Sequence, residues 1–513
     1  MNVYEKIIEH AKNGRTALRY RGETRSYADV CRAMINLRNH LNRLYEGDDT
    51  PIIIHGHKEI DIIPCMLGCS LAGHPYVPVD ITFSHSRLEM VIEETQPKVI
   101  LDFTDTLQIE NCDVLGTAQI AEVLDIGGGD SATGLAADWE TFPPPRAEDI
   151  CYILFTSGST GRPKGVAIKF SNLDSYMNAI PTSFYAGDGE HVVLNSLSYS
   201  FDVSAGYCYP ALSYGYTLHG TDRKMFENLG ELFEDLRTSD IQTIMCTPAL
   251  IEMCNVSAKF GRDILPKAER FILCGEILTN ELARSIKSRF DGAEIINAYG
   301  PTEATILVTE VVITDDMIND NRVLPIGHAM KGMTLRIVDE AGNILPPHER
   351  GQLQILGPSV SPGYFKRPDL TEKVFFIDSE SGMRGYNTGD ICYFDDSDGN
   401  YYFCHRNDFQ IKLNGYRIEL GDVENNLLKI PYVSRAAVIP VMDDGRVSYL
   451  AAFVVLSEQT EPTGVKQQIA IKRDLSQLAA SYMVPRKIII KTDFPVNTNG
   501  KIDKKLLEAE LTK

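Results

Sequence analysis

Short apolar runs alternate with amphipathic stretches along most of this chain, and this alternation restricts the folds open to it. Runs of three to five apolar residues predict buried strands, and the stretches between several of them have helical spacing. The pattern therefore predicts an α/β fold of layered, largely parallel sheets. The predicted strands are Ile52–Ile54, Lys98–Leu101, Tyr152–Phe155, Gln242–Met245, Phe271–Leu273 and Glu294–Ile296, and helices are predicted at Arg87–Glu94 and Asn280–Phe290.

Two changes of pattern predict the domain organisation. From about Thr334 the chain turns to strands joined by Gly- and Pro-containing turns, which predicts a β-rich subdomain closing a large N-terminal domain. After Asp408 come further strands and a helical stretch from Val465 to Tyr482, typical of a small α+β domain. We therefore expect a large domain over residues 1–407 and a small C-terminal domain over residues 408–513. No low-complexity linker separates them, so the small domain should be mobile about a short hinge.

Size and charge exclude several classes of protein. A chain of 513 residues is too long for one ordinary core. Its formal charge of −20 opposes binding to nucleic acid or to anionic membranes. No apolar run approaches the ~20 residues of a membrane helix. The eleven cysteines show no zinc-like spacing and suit a reducing compartment. These features predict a cytoplasmic protein with no nucleic-acid partner and no membrane insertion.

A hydroxyl- and glycine-rich loop lies between two predicted strands, in the stretch YILFTSGSTGRPKGV from Tyr152 to Val166. Glycines let backbone N–H groups converge on an anion, while hydroxyls and a lysine add donors and charge. Alone, such a piece is more often a surface hairpin, but two flanking buried strands favour a phosphate site. It is not a Walker A loop, because Pro163 stands where that motif needs glycine and a strand follows. The candidate ligands are Thr156, Ser157, Gly158, Ser159, Thr160, Gly161 and Lys164.

This loop resembles the phosphate-loop signature of the adenylate-forming superfamily, which includes acyl-CoA synthetases, luciferases and the adenylation domains of peptide synthetases. Four more motifs follow in the family's order, and five in order are highly specific. They are NAYGPTE at Asn297–Glu303, GYNTGD at Gly385–Asp390, RNDFQIKLNGYRIE at Arg406–Glu419 and NGKID at Asn499–Asp503.

The resemblance implies that a carboxylate attacks the α-phosphate of ATP and expels pyrophosphate. Because two anions meet, cations and Mg²⁺ should dominate catalysis. The family's pattern implies that Glu303 binds Mg²⁺, Tyr299 flanks adenine and Asp390 binds the ribose. Arg406 would contact the nucleotide, and Lys501 would bridge the carboxylate and the α-phosphate. Further nucleotide contacts are implied at Asn297, Ala298, Gly300 and Thr302.

Taken without the family, these motifs have simpler interpretations. Pro301 to Glu303 would more often start a helix, a lone Gly-Asp is usually a turn, and the lysines around Lys501 would be a solvated tail. One position also departs from the family, because Asn387 stands before TGD where a basic residue is usual. We expect Asp390 to bind ribose regardless, with altered local charge and a possible loss of nucleotide affinity.

The resemblance also implies a second half-reaction, in which the acyl group passes to a thiol. The small domain would rotate about a hinge at Asp408 and bring the Lys412–Gly415 loop to the adenylate in place of Lys501. No fused carrier domain follows the Lys501 motif, so we expect a separate carrier protein bearing phosphopantetheine.

The acid substrate is predicted to be an amino acid. In the amino-acid branch of the family an Asp after an aromatic residue binds the substrate ammonium, and Phe201-Asp202-Val203-Ser204 matches that pattern. A buried Asp needs a cation, which supports this interpretation over a cap or turn. Within the branch, GHPYVPVD, CGE at Cys274–Glu276 and MVPRK resemble the stand-alone ligases that charge a carrier protein with D-alanine. In those enzymes the cysteine lines the pocket and favours the D-configured methyl group, although Cys274 would alternatively be a small core residue.

One residue argues against alanine. The D-alanine ligases place a bulky residue, typically Met, where this chain has Gly206. The absence of the methionine side chain should open roughly 100 Å³ unless a neighbour such as Leu250 or Leu307 fills the space. Alignment on NAYGPTE adds Ala298, Ile306 and Leu307 to the candidate pocket.

Four hypotheses therefore remain. The leading one is an amino acid:carrier protein ligase, with D-alanine as the best single substrate. The same chemistry on a larger hydrophobic amino acid is a second, and an acyl-CoA ligase, disfavoured by Asp202, is a third. A non-catalytic nucleotide-binding scaffold is a fourth. It is disfavoured because Lys164, Glu303, Asp390, Arg406 and Lys501 are all present.

Overall fold

A computed structural model provides the fold. It describes residues 3–45, 47–126, 145–157, 162–180, 190–320, 322–406, 410–443, 446–457, 464–495, 502 and 504–511. The chain divides into two compact units. The larger unit contains Met1–Asp80, Thr95–Leu154 and Gly165–His405, and the smaller unit contains Ile81–Glu94, Phe155–Lys164 and Arg406–Lys513. The predicted hinge residue Asp408 lies outside the described residues, so the hinge stays a prediction.

A nine-stranded sheet contains three of the six predicted buried strands. Its six central strands are parallel, and antiparallel strands close both edges. The centre is fully buried on both faces, which is why its strands are nearly continuous apolar runs. In spatial order the strands are His328–Ala329, Thr309–Val312, Glu294–Tyr299, Arg270–Leu273, Thr243–Cys246, Val192–Asn195, Thr217–Gly220, Thr16–Tyr20 and Glu23–Ser26.

A second sheet of seven strands contains the strands on both sides of the phosphate loop, as neighbours. Strands Ile52–Gly56 and Tyr76–Asp80 are buried along their whole length, again as expected of covered parallel strands. In spatial order the strands are Gly363–Tyr364, Lys164–Lys169, Ile150–Thr156, Tyr76–Asp80, Ile52–Gly56, Val99–Asp102 and Asp113–Gly116.

The predicted β-rich region forms a sheet of its own, with antiparallel pairs. Buried and partly exposed residues alternate along Gly351–Leu356, because one face of the sheet packs on the core. The strands are Thr334–Val338, Gly351–Leu356, Arg384–Asp395, Phe375–Ile377 and Asn400–Arg406.

The smaller unit combines strands and helices. A hairpin joins Gln410–Leu413 to Tyr416–Glu419 through Asn414 and Gly415, whose φ angles of 52° and 82° suit a two-residue turn. A three-stranded sheet contains Val433–Asp443, Arg446–Leu456 and Lys487–Lys491. Helices at Leu420–Leu428 and Val465–Leu478 pack their apolar residues into one core with these strands.

Helices cover the sheets and connect their strands. The long Tyr27–Leu44 helix begins with a capping box in which Ser26 and Asp29 satisfy each other's backbone N–H groups. None of the helices in the described parts of the chain has the length and apolar character needed to span a membrane. The other helices of the fold are Val3–Ala11, Ile62–Leu71, His85–Thr95, Thr117–Leu124, Phe170–Ala179, Asp202–Tyr214, Arg223–Glu227, Leu229–Arg237, Pro248–Asn255, Asn280–Arg289, Asp315–Asn319, Pro368–Val374 and Lys504–Ala509.

Candidate active site

The loop predicted to bind phosphate has structured ends. Strand Ile150–Thr156 enters it and strand Lys164–Lys169 leaves it, while Gly158, Ser159, Thr160 and Gly161 lie outside the described residues. The Thr156 hydroxyl donates to the carbonyl of Lys164 at 3.4 Å and so ties the two ends together. The predicted strand–loop–strand arrangement is therefore present.

Ser157 and Lys164, the other two described candidate ligands of this loop, both contact strand Tyr416–Glu419 within the smaller unit. The Ser157 hydroxyl donates to the carbonyl of Arg417 at 2.8 Å and accepts from the N–H of Glu419 at 3.2 Å. The Lys164 ammonium lies 3.7 Å from Oε1 of Glu419, and both side chains are mostly buried. The charge of Lys164 thus has a carboxylate beside it. The sequence analysis missed Glu419, although it ends one of the family motifs.

The segment after Tyr299 makes an unusually tight turn. A Cβ atom on Gly300 would lie 2.2 Å from the carbonyl oxygen of Ile306 and 2.6 Å from Cα of Leu307, so only glycine fits. Thr305 and Ile306 adopt positive φ angles of 59° and 75°, which are strained for β-branched residues. A bond from the N–H of Val308 to the carbonyl of Tyr299 closes the turn at 2.8 Å. Strained backbone of this kind clusters at functional sites.

Glu303 lies inside this turn, on the short 3-10 helix Thr302–Ala304. Its side chain is fully buried, and the hydroxyl of Tyr364 donates to its Oε1 at 2.8 Å. Its carbonyl accepts from the N–H of Ser361 at 2.9 Å. The Tyr364 bond thus orients the carboxylate, and the Ser361 bond fixes the backbone that carries it. Tyr364 was not among the residues predicted from the sequence.

The two residues predicted to hold adenosine are in direct contact. The Tyr299 hydroxyl donates a hydrogen bond to Oδ2 of Asp390, and both residues are buried. The N–H of Asp390 donates to the Thr388 hydroxyl at 3.0 Å, which in turn donates to the carbonyl of Leu353 at 2.8 Å. The Asn297 amide donates to the carbonyl of Pro325 at 2.6 Å, which orients the strand below Tyr299.

Asn387, the departure from the family pattern, has neutral partners. Its side-chain oxygen accepts from Nε2 of Gln354 at 2.9 Å and from Nε2 of Gln352 at 3.4 Å. Amide groups therefore occupy this position on the sheet in place of the usual cation. Arg406 is the last residue of strand Asn400–Arg406, and Lys501, like Asp408, lies outside the described residues.

Two motifs of the predicted amino-acid site are adjacent. Asp202 begins helix Asp202–Tyr214 and is 6% exposed. Cys274, buried, follows strand Arg270–Leu273, and its N–H donates to the carbonyl of Cys246 at 3.2 Å. A Cβ atom on Gly275 would lie 3.8 Å from the ring of Phe201. The FDVS and CGE motifs, about seventy residues apart, thus meet at one place.

Neighbouring side chains fill the space beside Gly206, which is the condition under which the sequence predicted no enlarged pocket. A Cβ atom there would lie 2.7 Å from Cγ2 of Ile306, 2.9 Å from Cε of Met245 and 3.1 Å from the Tyr176 hydroxyl. That hydroxyl also donates to the carbonyl of Gly206 at 3.1 Å. Neither of the residues suggested as fillers, Leu250 and Leu307, supplies one of the three atoms nearest to that position. Tyr176 and Met245 were missed, although Met245 ends a predicted strand.

Two protein-family models match this chain. The family model for AMP-binding enzymes matches residues 5–365, and the model for the AMP-binding enzyme C-terminal domain matches residues 422–501. The D-alanine–D-alanyl carrier protein ligase of Bacillus anthracis is 36% identical over 515 residues, covering 100% of both chains. The ligase of the same name from Bacillus mycoides is 36% identical over 517 residues, also covering 100% of both.

Solved structures share the fold. The adenylation domain AlmE of Vibrio cholerae, determined in complex with glycyl-adenosine-5'-phosphate, superimposes with a TM-score of 0.84 at 21% identity. The match covers 100% of this chain and 98% of that chain. It confirms the predicted fold class of layered α/β sheets with a β-rich region and a smaller C-terminal part.

The chain belongs to the AMP-binding enzyme family. It is an adenylate-forming ligase, and the curated relatives that match it from end to end include D-alanine–D-alanyl carrier protein ligases.

Proposed function

We propose that this enzyme activates D-alanine as its acyl-AMP and transfers it to the phosphopantetheine thiol of a separate carrier protein. The observation that carries the proposal is the site formed by Asp202, Cys274 and Gly206. A buried carboxylate at the start of a helix suits a substrate ammonium, and Cys274 is one residue from the glycine that approaches Phe201. The full-length relatives named for this reaction point the same way.

Crowding around Gly206 supports a small substrate side chain. Ile306, Met245 and Tyr176 already approach the position of its missing Cβ as closely as packed atoms do. A larger hydrophobic amino acid would require these three side chains to move, at the usual cost of overpacking a core. Packing therefore favours alanine over a bulky substrate, and Asp202 favours an amino acid over the unsubstituted acids of acyl-CoA ligases.

The nucleotide would be bound mainly by the larger unit. We propose that Tyr299 stacks on adenine and that Asp390, oriented by Tyr299, accepts hydrogen bonds from the ribose hydroxyls. Arg406 would contact the nucleotide and Lys501 the reacting groups. Thr156, Ser157 and Lys164 would form the structured edge of the phosphate loop once Lys164 is released from Glu419.

We also propose Mg²⁺ as a cofactor, with Glu303 as its protein ligand. Proteins commonly hold Mg²⁺ through one or two carboxylates together with substrate phosphates, so a single well-placed carboxylate is sufficient. The bond from Tyr364 to Glu303 is the kind of supporting contact that orients a metal-ligating carboxylate. When bound, the ion would neutralise charge on the phosphates. With its carboxylate bonded to Tyr364 and its backbone carbonyl bonded to Ser361, Glu303 would keep its oxygen aimed without rearranging during the reaction.

Amino-acid-dependent exchange of pyrophosphate into ATP, measured over a panel of L and D amino acids, tests the first step. We expect D-alanine to give the highest kcat/KM and Asp202→Ala to abolish the exchange. Background exchange with D-alanine, alongside clear exchange with another amino acid, would overturn the choice of substrate. Incubation with ATP, D-alanine and either a phosphopantetheinylated carrier protein or CoA tests the second step. Thioester on CoA but not on carrier would contradict the proposed acceptor.

A further inference from the structure

A lysine side chain is buried against the segment that precedes Asp202 but belongs to none of the family motifs. Lys58 follows strand Ile52–Gly56 and is 2% exposed. Its ammonium donates to Oδ1 of Asn195 at 2.6 Å and to the carbonyl of Leu197 at 2.5 Å. It also lies 4.0 Å from the centre of the Tyr199 ring, within range of a cation–π interaction. All three contacts fall on one short segment of chain.

That segment leads directly into Asp202. Strand Val192–Asn195 ends where the Lys58 contacts begin, and helix Asp202–Tyr214 starts three residues after Tyr199. No regular secondary structure holds the residues between them, so side-chain contacts must fix their path. The position of the Asp202 carboxylate therefore depends on how firmly this segment is held.

Two tyrosines extend the Lys58 contacts into a closed network. The Asn195 amide donates to the Tyr199 hydroxyl at 2.8 Å. The Tyr207 hydroxyl, on the helix that Asp202 begins, donates to Oδ1 of Asn195 at 3.1 Å and accepts from the N–H of Leu197 at 3.1 Å. The network thus binds the strand end, the segment and the helix together. The Ser196 hydroxyl in the same segment is buried without a hydrogen-bond partner among the described residues, so the bonds of Lys58, Asn195 and Tyr207 are the ones that hold the segment. Buried polar networks of this kind rigidify the residues they join.

The far end of the segment is fixed independently. The Ser200 hydroxyl donates to the carbonyl of Pro78 at 2.9 Å and accepts from the N–H of Asp80 at 3.0 Å. The N–H of Phe201 donates to the carbonyl of Ser198 at 3.1 Å, forming a turn. Ser200 therefore fixes the residues next to Asp202, while Lys58 fixes the earlier part of the segment, from Asn195 to Tyr199.

A buried ammonium is costly, so its presence calls for a reason. Burial lowers the pKa of Lys58 to about 7, while the Cys208 thiol and the carboxylates of Asp80, Asp222 and Glu59 oppose that shift. Two of these carboxylates have strong partners of their own, since Asp80 binds His57 at 2.7 Å and Asp222 binds Arg21 at 2.5 Å. Lys58 is therefore held mainly by neutral oxygens and an aromatic ring, all belonging to the segment that it orders.

We propose that Lys58 is a positioning residue for the amino-acid site, acting through Asn195, Leu197 and Tyr199 to hold the segment that carries Asp202. It does not touch the substrate. The inference rests on the proposed role of Asp202 as the group that binds the substrate ammonium. It predicts that loss of the Lys58 amine weakens amino-acid binding and leaves nucleotide binding intact.

The test compares Lys58→Met with Lys267→Met in the full-length enzyme. Lys267 is an exposed lysine that pairs with Asp240 at 2.9 Å, so it controls for the same chemical change at the surface. Pyrophosphate exchange is measured over the panel of L and D amino acids, using whichever amino acid the unaltered enzyme prefers. For Lys58→Met we expect the KM for that amino acid to rise about tenfold or more, with the KM for ATP changed by less than about twofold. Lys267→Met should match the unaltered enzyme.

Amide hydrogen exchange separates positioning from general destabilisation and needs no substrate. Lys58→Met should lose protection at peptides covering 196–202, while those covering the central strands of the nine-stranded sheet keep theirs. Equal rises in both KM values, or uniform loss of protection, would overturn the proposal. If D-alanine proves inactive but the panel reveals another substrate, only the choice of substrate fails, because the KM split is read with that other amino acid.

Tyr199→Phe provides a second, milder variant should Lys58→Met fold poorly. It keeps the aromatic ring under the ammonium and removes only the hydroxyl that accepts from Asn195. We expect the same selective rise in the KM for the amino acid, by about threefold, reflecting the loss of one buried hydrogen bond. An unchanged KM for the amino acid in a folded Tyr199→Phe variant would overturn the proposal, because it would show that the network does not position Asp202.

Discussion

The hydroxyl of Tyr299 donates a hydrogen bond to the carboxylate of Asp390, joining two motifs that lie 91 residues apart in the chain. This contact aligns the residues proposed for adenine and ribose before any nucleotide binds. Preorganisation of this kind reduces the ordering that a ligand must otherwise impose on its site.

Removing this bond should weaken nucleotide binding selectively. A hydrogen bond to a charged group contributes about 1.5–3 kcal/mol, so Tyr299→Phe should raise the KM for ATP about tenfold and leave the KM for the amino acid unchanged. Tyr401→Phe is a matched control, since its hydroxyl donates to the carbonyl of Leu335. Steady-state pyrophosphate exchange measures both constants. An unaltered KM for ATP in Tyr299→Phe would show that the contact does not prepare the nucleotide site.

Met245 should limit the size of the substrate. Its Cε atom lies beside Gly206, so Met245→Ala removes one wall of the crowded space. We expect the ratio of kcat/KM for D-valine to that for D-alanine to rise about tenfold, with a stability loss of about 2–5 kcal/mol. Met225→Ala, a buried methionine of another apolar cluster, should lose stability without changing the ratio. Equal ratios in the two variants would contradict the assignment of Met245 to the pocket.

Cys274 should contribute to stereochemical preference. Substitution by alanine removes only the sulfur, a change of about one methylene in volume, which in a pocket alters discrimination by about tenfold. We therefore expect Cys274→Ala to reduce the preference for D-alanine over L-alanine by about that factor. Exchange assays with the separate enantiomers provide the measurement, and Cys254→Ala, another buried cysteine, serves as the control. The expectation fails if both variants keep the preference of the unaltered enzyme.

Burial of Lys58 should give stability a specific dependence on pH. Its pKa is lowered to about 7 in the folded enzyme, whereas an unfolded chain has a lysine pKa near ~10.4. Between those values the unfolded state binds more protons, so the free energy of unfolding rises with pH, by at most about 1.4 kcal/mol per pH unit. Below pH ~7 both states are protonated and the dependence disappears.

Lys58→Met lacks this contribution. Urea unfolding of the two proteins between pH 6 and pH ~9 should therefore show the unaltered enzyme gaining stability relative to the variant only above pH ~7. A difference that is constant over this range would mean that Lys58 titrates normally.

The predicted hinge provides a test of the two-step reaction. Proline at position 408 would restrict the backbone rotation that brings the Lys412–Gly415 loop to the adenylate. Asp408→Pro should leave pyrophosphate exchange within about threefold of normal and slow thioester formation by about a hundredfold or more. Asp408→Ala should spare both rates. Equal loss of both rates in the proline variant would contradict the hinge assignment.

Much of the fold was predictable because its strands are buried on both faces. A short, continuous apolar run such as the one within Ile52–Gly56 is typical of a strand covered on both sides. From Thr334 onward, the change to strands joined by Gly- and Pro-containing turns correctly predicted a β-rich region. Local sequence determines these features, so the sequence alone is sufficient to predict them.

The parts that escaped prediction depend on contacts between distant residues. The crowding at Gly206 comes from Tyr176, Met245 and Ile306, which belong to three separate segments. The contact between Lys164 and Glu419 joins a loop to a strand far along the chain, although the resemblance had located both motifs. The burial of Lys58 could not be predicted from the sequence, because an isolated lysine after an apolar strand is normally solvated.

The tight turn at Gly300 has a consequence for how substrate range can evolve. The backbone turn that follows Tyr299, which is proposed to bind adenine, also places Ile306 against Gly206. Mutations in this turn would alter recognition of both substrates at once and would be poor first steps toward a new specificity. Met245 and Tyr176 lie on other elements, so adaptation to a different amino acid should begin there and reach Ile306 only later.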